Sequence, residues 1–221
     1  VKQMSKQSKK SSKIGLSNAH IAIYHPESFK FSKPFAVKTL KEMKVSVNMA
    51  EKNEYNDNEL FEVLDSFDNF EVELTFTDLT PSEQALLLGW AKIGAVKLSG
   101  ANDDPPWIAL MGERFKKNGS KRYFKYFKGK AKLSNEDAKS KGDSVEVQPD
   151  TLKIVFGALP DDYPVKDYRS VAKATVDESD PDYANEGEKW YTEVITGQTL
   201  EEPEESTAGT PANHDGDGDD K

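Results

Sequence analysis

Cysteine is absent from this sequence of 221 residues, histidine occurs three times, and no apolar run approaches the roughly 20 residues that a membrane-spanning helix needs. Without cysteine, neither disulfides nor thiol chemistry can hold the fold or run a reaction. With so few histidines a zinc site lacks ligands. His20 and His25 fall in and just after a first strand, as surface or half-buried residues, and His214 stands near the C-terminus. With no spanning segment, and no apolar signal-peptide core at the start, the expectation is a soluble protein made inside the cell.

Catalytic patterns are missing as well. There is no G-x-S-x-G elbow, P-loop, H-E-x-x-H or strand-borne G-x-G-x-x-G, so an enzyme is not expected and no cofactor is implied. Asp215-Gly216-Asp217-Gly218-Asp219-Asp220 has the front of a calcium loop but no bidentate glutamate to close it, and no metal is expected there. Asn118-Gly119-Ser120 fits a glycosylation sequon but, with secretion not expected, reads as a turn.

Positive charge is in deficit, with 30 Lys and Arg against 39 Asp and Glu, a net charge of −9. Its distribution divides the chain. Residues 1–13 hold five lysines (Lys2, Lys6, Lys9, Lys10, Lys13) and almost nothing apolar, the composition of a flexible basic arm. Residues 197–221 hold eight acidic residues against Lys221 alone, amid Pro, Gly, Ser and Thr, the composition of a disordered acidic tail. The arm carries +5 and the tail −7, which leaves residues 14–196 at −7. An acidic body is poorly suited to tight, non-specific binding of duplex DNA, which depends on Lys and Arg at the phosphates.

What is present is β-patterned. Residues 70–76 alternate Phe70, Val72, Leu74 and Phe76 with Glu71, Glu73 and Thr75, which puts core on one face of a strand and acid on the other. A helix start follows at once: Thr80 is placed as N-cap, Pro81 at the first helical position, Glu83 to complete a capping box and Gly89 to end the helix. Strands are predicted over 19–24, 35–40, 43–49, 94–99, 145–148, 151–156 and 168–176, with a break near Pro149. Residues 102–106 interrupt the pattern, and a long hairpin is predicted over 107–115 and 121–133, turning at Asn118-Gly119. Residues 50–69, rich in asparagine, read as a long loop with a brief strand or helical turn. Asp180-Pro181 is placed to cap a last helix in which Trp190, Tyr191 and Val194 share a face. The sum is a mainly β protein, a β-sandwich or barrel with one or two flanking α-helices, whose strand edges need covering or pairing with another chain.

Two charged stretches are candidates for interaction. Residues 121–132 interleave Lys121, Arg122, Lys125, Lys128 and Lys130 with Tyr123, Phe124, Tyr126 and Phe127, as single-stranded nucleic-acid platforms do, so a nucleic-acid-binding β module is one reading. The stretch lacks the Gly-aromatic-Gly-Phe core of RNA-binding strands, and it better suits a strand whose rings face the core and whose cations face solvent or another subunit. Residues 51–78 hold ten acids against Lys52, whereas 113–132 hold nine basic residues and one acid. On opposite faces of the fold, these segments would draw copies together head to tail, the contact that closes rings or builds filaments; side by side, they would pair within one chain.

Several stretches, taken in order, resemble one family. They are Lys13-Ile14-Gly15-Leu16-Ser17-Asn18-Ala19-His20-Ile21-Ala22, residues 43–58, the joint ending Leu87-Leu88-Gly89, the aromatic run 124–132, Gln148-Pro149-Asp150-Thr151-Leu152, and the close from Asp180-Pro181-Asp182-Tyr183 to Trp190-Tyr191. Over about residues 13–196 the chain resembles the major tail proteins, or tail tube proteins, of phages with long non-contractile tails. The resemblance implies a β-sandwich with a flanking helix, assembled into hexameric rings that stack into a tube with an electronegative lumen for double-stranded DNA. The implied partners are copies of itself and the tape measure, tail terminator and distal tail proteins. The implied place is the virion, from protein made in the host cytoplasm without membrane insertion. Carried onto this sequence, Glu71 and Glu73 become candidate lumen residues. Glu51, Glu54, Tyr55, Asp57 and Glu59 become candidate inter-ring contacts, while Lys121, Arg122, Lys125, Lys128 and Lys130 stay, on their own pattern, candidates for contact with another subunit or with nucleic acid.

Overall fold

The computed structural model describes residues 10–56, 59–132 and 149–200, with backbone alone for 51–56 and 59–65. In chain order the elements are β1 (Lys13–His25), β2 (Lys30–Phe31), β3 (Phe35–Ala36), β4 (Leu40–Asn56), β5 (Glu59–Phe76), α1 (Pro81–Leu88), β6 (Ala91–Ile93), β7 (Val96–Leu98), β8 (Trp107–Lys116), β9 (Lys121–Lys132), β10 (Asp150–Gly157) and β11 (Lys173–Asp177). Nine strands form one antiparallel sheet in the order β2-β1-β8-β9-β10-β5-β4, with β3 also on β1 and β11 also on β9; β6 and β7 pair separately.

The sheet divides at β9. Arg122 to Tyr126 pair with β11 and Lys128 to Lys132 pair with β10, so one edge of β9 serves two layers. The division coincides with a bulge: Ile108 lies opposite Gly129 and Leu110 opposite Tyr126, so Phe127 and Lys128 together face Ala109. An extra residue bends a strand and increases its twist. The result is a β-sandwich-like fold.

Burial explains why β8 reads as a nearly continuous apolar run rather than an alternating one. Ile108, Leu110, Phe124 and Tyr126 face a core that includes Val72, Leu74, Phe76, Ile154 and Phe156, while Ala109, Met111 and Phe127 face a second with Tyr24, Phe31, Tyr163 and Val194. Strands covered on both sides lose the polar half of their alternation. On β5, where one face is open, the alternation is clean: Val72, Leu74 and Phe76 are buried, and Glu71 and Glu73 are partly exposed.

The helix begins and ends as its residues require. Thr80 Oγ1 accepts from the Glu83 N–H at 3.3 Å, Glu83 Oε2 accepts from the Thr80 N–H at 2.9 Å, and Gly89 ends the helix in the left-handed region at φ 71°. Ala85, Leu87 and Leu88 are its buried residues. The long hairpin turns at Gly119, φ 84°.

Five expectations need correction. Residues 50–69 are not a loop but, as far as they are described, the outer part of the β4–β5 hairpin, paired from Met49 opposite Phe67 to Asn56 opposite Glu59 with one register shift between Glu54 and Tyr55. The asparagines misled because an Asn side chain can bond across a ladder as well as turn a chain: Asn48 Nδ2 donates to Asn69 Oδ1 at 2.9 Å. The last helix is a single 3-10 turn, Glu186–Lys189, because Asn185 sits at φ 66° and Gly187 lies so close to Tyr123 that a Cβ would come within 2.5 Å of the ring. The strand expected over 168–176 starts only at Lys173, after a 3-10 turn, Lys166–Tyr168, that sets the Tyr168 ring edge-on to Phe127 at 5.5 Å. The strand of 35–40 shrinks to β3, and that of 94–99 to β7, which pairs with β6 apart from the main sheet.

The ends of the described chain are tied to the sheet. The Lys117 N–H donates to Ser12 O at 2.8 Å, and Phe31 exchanges two 2.8 Å backbone bonds with Gln198 and Leu200. The strand expected over 145–148, residues 1–9, His214 and the Asp-Gly run lie outside the described residues. Among the described residues no helix is long and apolar enough to cross a membrane.

Candidate assembly surfaces

The basic strand β9 is engaged within its own chain. Tyr123, Phe124, Tyr126 and Phe127 are all buried, the first two at 5% exposure and the others at 1% or less. Lys121 pairs with Glu113 at 3.1 Å, Arg122 with Asp177 at 2.6 Å and Lys130 with Asp104 at 2.7 Å. Lys128 lies 4.7 Å from the Trp107 ring centroid. Lys125 is itself buried: its Nζ donates to the carbonyls of Glu193 and Val194 at 2.9 and 3.0 Å and lies 4.3 Å from the Trp190 ring centroid. Burial pushes its pKa down to about 8, against a smaller upward pull from Glu193.

Behind this strand lies an ionic network that the sequence pattern did not single out. The Lys116 side chain, 1% exposed, donates to Asp177 at 2.8 Å and to Ser179 Oγ at 2.8 Å, and the same carboxylate receives Arg122. Tyr123 Oη donates to Glu178 at 2.7 Å, and Tyr191 Oη to Glu113 at 3.2 Å. None of these acids belongs to residues 51–78. A lysine ending a strand beside an Asn-Gly turn reads as exposed; only β11, seen in three dimensions, buries it.

Glu71 and Glu73 lie on the open face of β5, but not alone. Glu73 is 3.6 Å from Lys44 on β4 and 3.8 Å from Lys153 on β10, and Glu71 is 3.8 Å from Lys153. The face is an acidic stripe between two lysines. Such exposed pairs are worth less than about 1 kcal/mol each, yet they partly cancel the field of the carboxylates.

The β4–β5 hairpin outruns its neighbours. β10 pairs with β5 only from Phe70 to Phe76, and further out β5 is paired with β4 alone. Where the hairpin leaves the sheet, β5 has a bulge at Asp68, with Asn48 opposite Asn69 and Met49 opposite Phe67. The bulge returns Phe67 to the face of Phe70, and the two rings lie 4.8 Å apart. The core-facing stripe thus continues outward as Val47, Met49 and Phe67, which are 55%, 50% and 38% exposed. Glu51, Glu54, Tyr55 and Glu59 stand further out on the two strands, and Asp57 lies outside the described residues. A second exposed apolar group, Leu86, Ile93, Val96 and Leu98, surrounds α1 and the β6–β7 pair.

The fold and these surfaces define a mainly β, sandwich-like protein with an open-edged hairpin. No known family model and no curated protein sequence matches the chain.

Proposed function

We propose that this protein is a structural virion protein that assembles with copies of itself into stacked, hexameric rings, the tail tube through which phage DNA passes into the host. The observation that carries this reading is the β4 edge. It is 17 residues long, it closes the sheet with no further strand on its outer side among the described residues, and its hairpin bears the exposed Val47, Met49 and Phe67. Natural sheets shorten, charge or cover such an edge unless another chain pairs with it. Glu51, Glu54, Tyr55, Asp57 and Glu59 then belong to a segment that reaches a neighbouring ring. Glu71 and Glu73 remain the lumen candidates, in a face whose repulsion is moderated by Lys44 and Lys153. The tape measure, tail terminator and distal tail proteins are further partners on this reading, and the phage virion is its location.

The burial of the β9 rings supports reading that strand as core and inter-subunit structure rather than as a base-stacking platform. Negative-stain microscopy of the purified protein across concentrations tests the proposal. Rings or tubes with a central hole are expected; a monomer at every concentration and salt would overturn it.

A further inference from the structure

Four cations, Lys13, Lys41, Arg114 and Lys173, lie near one another, and the acids beside them, Glu42 and Asp177, pair with other cations. Lys13, Lys41 and Arg114 line an open cleft of about 280 Å³ between β1 and β4, with Leu16 and Met43 as its apolar wall. Glu42, also on the cleft, is 3.8 Å from Lys44. Arg114 stands directly across from Arg122, and of these two only Arg122 has a carboxylate, Asp177. Arg114 instead lies over the Phe124 ring at 5.6 Å. Lys173, on β11, joins from the other side, 5.2 Å from the Tyr126 ring centroid and 5.7 Å from that of Phe70. No ion pair reaches Lys13, Lys41, Arg114 or Lys173 among the described residues.

The group repels itself. Partial burial and then the nearby Arg114 and Arg122 hold the pKa values of Lys13 and Lys173 below the ordinary lysine value. Like charges set on neighbouring strands cost free energy that an anionic partner recovers.

The same chain carries a matching anion that its own geometry keeps away. Residues 51–65 hold six acids against Lys52, and five of them, Glu51, Glu54, Glu59, Glu62 and Asp65, are on β4 and β5 in the outer part of the hairpin. Lys41 and Met43 sit at the start of β4, and Glu51 lies on the same strand eight residues beyond Met43. At about 3.4 Å per residue that is roughly 27 Å, over three times the ~8 Å screening length at physiological salt. A strand cannot fold back onto its own beginning. The two charges therefore meet only between molecules.

We propose that the cleft of Lys13, Lys41 and Arg114, with Lys173 close enough to feel Arg114 and Lys13, receives the acidic β4–β5 hairpin of a second copy of this chain. This rests on the self-assembly reading above and adds the receiving surface to it. The contact joins different patches on the two copies, so it repeats from subunit to subunit, as ring or tube growth requires.

The test uses the full-length protein, mixed as equal parts of unlabelled and ¹⁵N-labelled chain, joined by a zero-length carbodiimide and analysed by mass spectrometry. Isotope-mixed links from Lys13, Lys41 or Lys173 to Glu51, Glu54, Glu59, Glu62 or Asp65 are expected. K13E/R114E/K173E should keep its circular dichroism and Tm while needing about tenfold more protein to assemble, the equivalent of 1.4 kcal/mol. Assembly with links elsewhere and an unaffected variant would remove the cleft from the contact and leave the assembly reading standing. Links found only within one chain would also overturn the proposal, by showing that the hairpin reaches its own cleft. A monomer at all concentrations would overturn both readings.

Discussion

Lys116 Nζ lies 2.8 Å from Asp177 Oδ1 with the lysine side chain 1% exposed, and Oδ2 of the same carboxylate receives Arg122 Nη2 at 2.6 Å. One acid thus serves two cations from β8 and β9 and ties β11 to them. The consequence is an asymmetry between the partners. Asp177→Asn strands a buried ammonium and should cost on the order of 3 kcal/mol. Lys116→Met leaves Asp177 with Arg122 and should cost roughly 1 kcal/mol. Urea denaturation at neutral pH measures both, and equal losses would show that Arg122 contributes nothing to the site.

The same carboxylate predicts an acid limb. Burial opposes ionisation of Asp177, but hydrogen bonds from Lys116, the Ser179 N–H and Arg122 outweigh it and hold the carboxyl far below its usual range. A depressed carboxyl pKa gives stability that is complete above the unfolded value of about 3.9 and is lost as pH falls toward the folded value. Wild type should therefore lose stability below about pH 4 more steeply than Asp177→Asn. Parallel acid limbs would assign the effect to other carboxylates.

Lys125 has the opposite sign. Its folded pKa, about 8, lies below that of an unfolded lysine, so between pH 8 and 10 the unfolded chain binds more protons than the native one. Stability from this group rises with pH across that window, before tyrosine ionisation intervenes. ¹³C NMR of the lysine side chains should show one resonance titrating near 8 that disappears in Lys125→Met. A Lys125 resonance titrating with the surface lysines would mean that water reaches the ammonium.

Packing at the strand crossing allows a fourth test of the fold. A Cβ on Gly129 would meet Phe156 Cδ1 at 2.5 Å and Ile154 Cγ2 at 2.8 Å, both on β10. Gly129→Ala should cost about 1–3 kcal/mol by overpacking, whereas Gly157→Ala, with nothing within 4 Å, should be near neutral. Similar Tm values for the two variants would mean that β9 and β10 separate easily.

What the sequence disclosed followed from local rules. Thr80, Pro81, Glu83 and Gly89 are read by their neighbours in the chain, so the helix ends were legible to the residue, and Asn118-Gly119 marked the turn of the long hairpin. The β5 face was legible because one side is core and the other open. β9 was not, because it is buried on both faces: Lys125 looked like a surface cation until Trp190 and the Glu193 and Val194 carbonyls, almost 70 residues away, enclosed it. The β4–β5 hairpin was hidden for the reverse reason, since a two-stranded ladder with polar asparagines carries little burial pattern. The cleft of Lys13, Lys41 and Arg114 draws on three separate strands, and no spacing within the chain connects them.

The lumen assignment of Glu71 and Glu73 is best tested by neutralisation rather than reversal. Lysine at these positions would join Lys44 and Lys153 on adjacent strands, and cross-strand repulsion of about 0.2–1 kcal/mol per pair would confuse a folding effect with a lumen effect. Glutamine keeps the shape and removes only the charge. In Glu71→Gln/Glu73→Gln the lysines lose their partners at 3.6–3.8 Å, and the face becomes net positive. Tubes of the variant should still form and should retain duplex DNA at low salt, where wild-type tubes do not, with the difference fading at physiological ionic strength as screening shortens to about 8 Å. Intact variant tubes that retain no more DNA than wild type would mean that this face of β5 points away from the lumen.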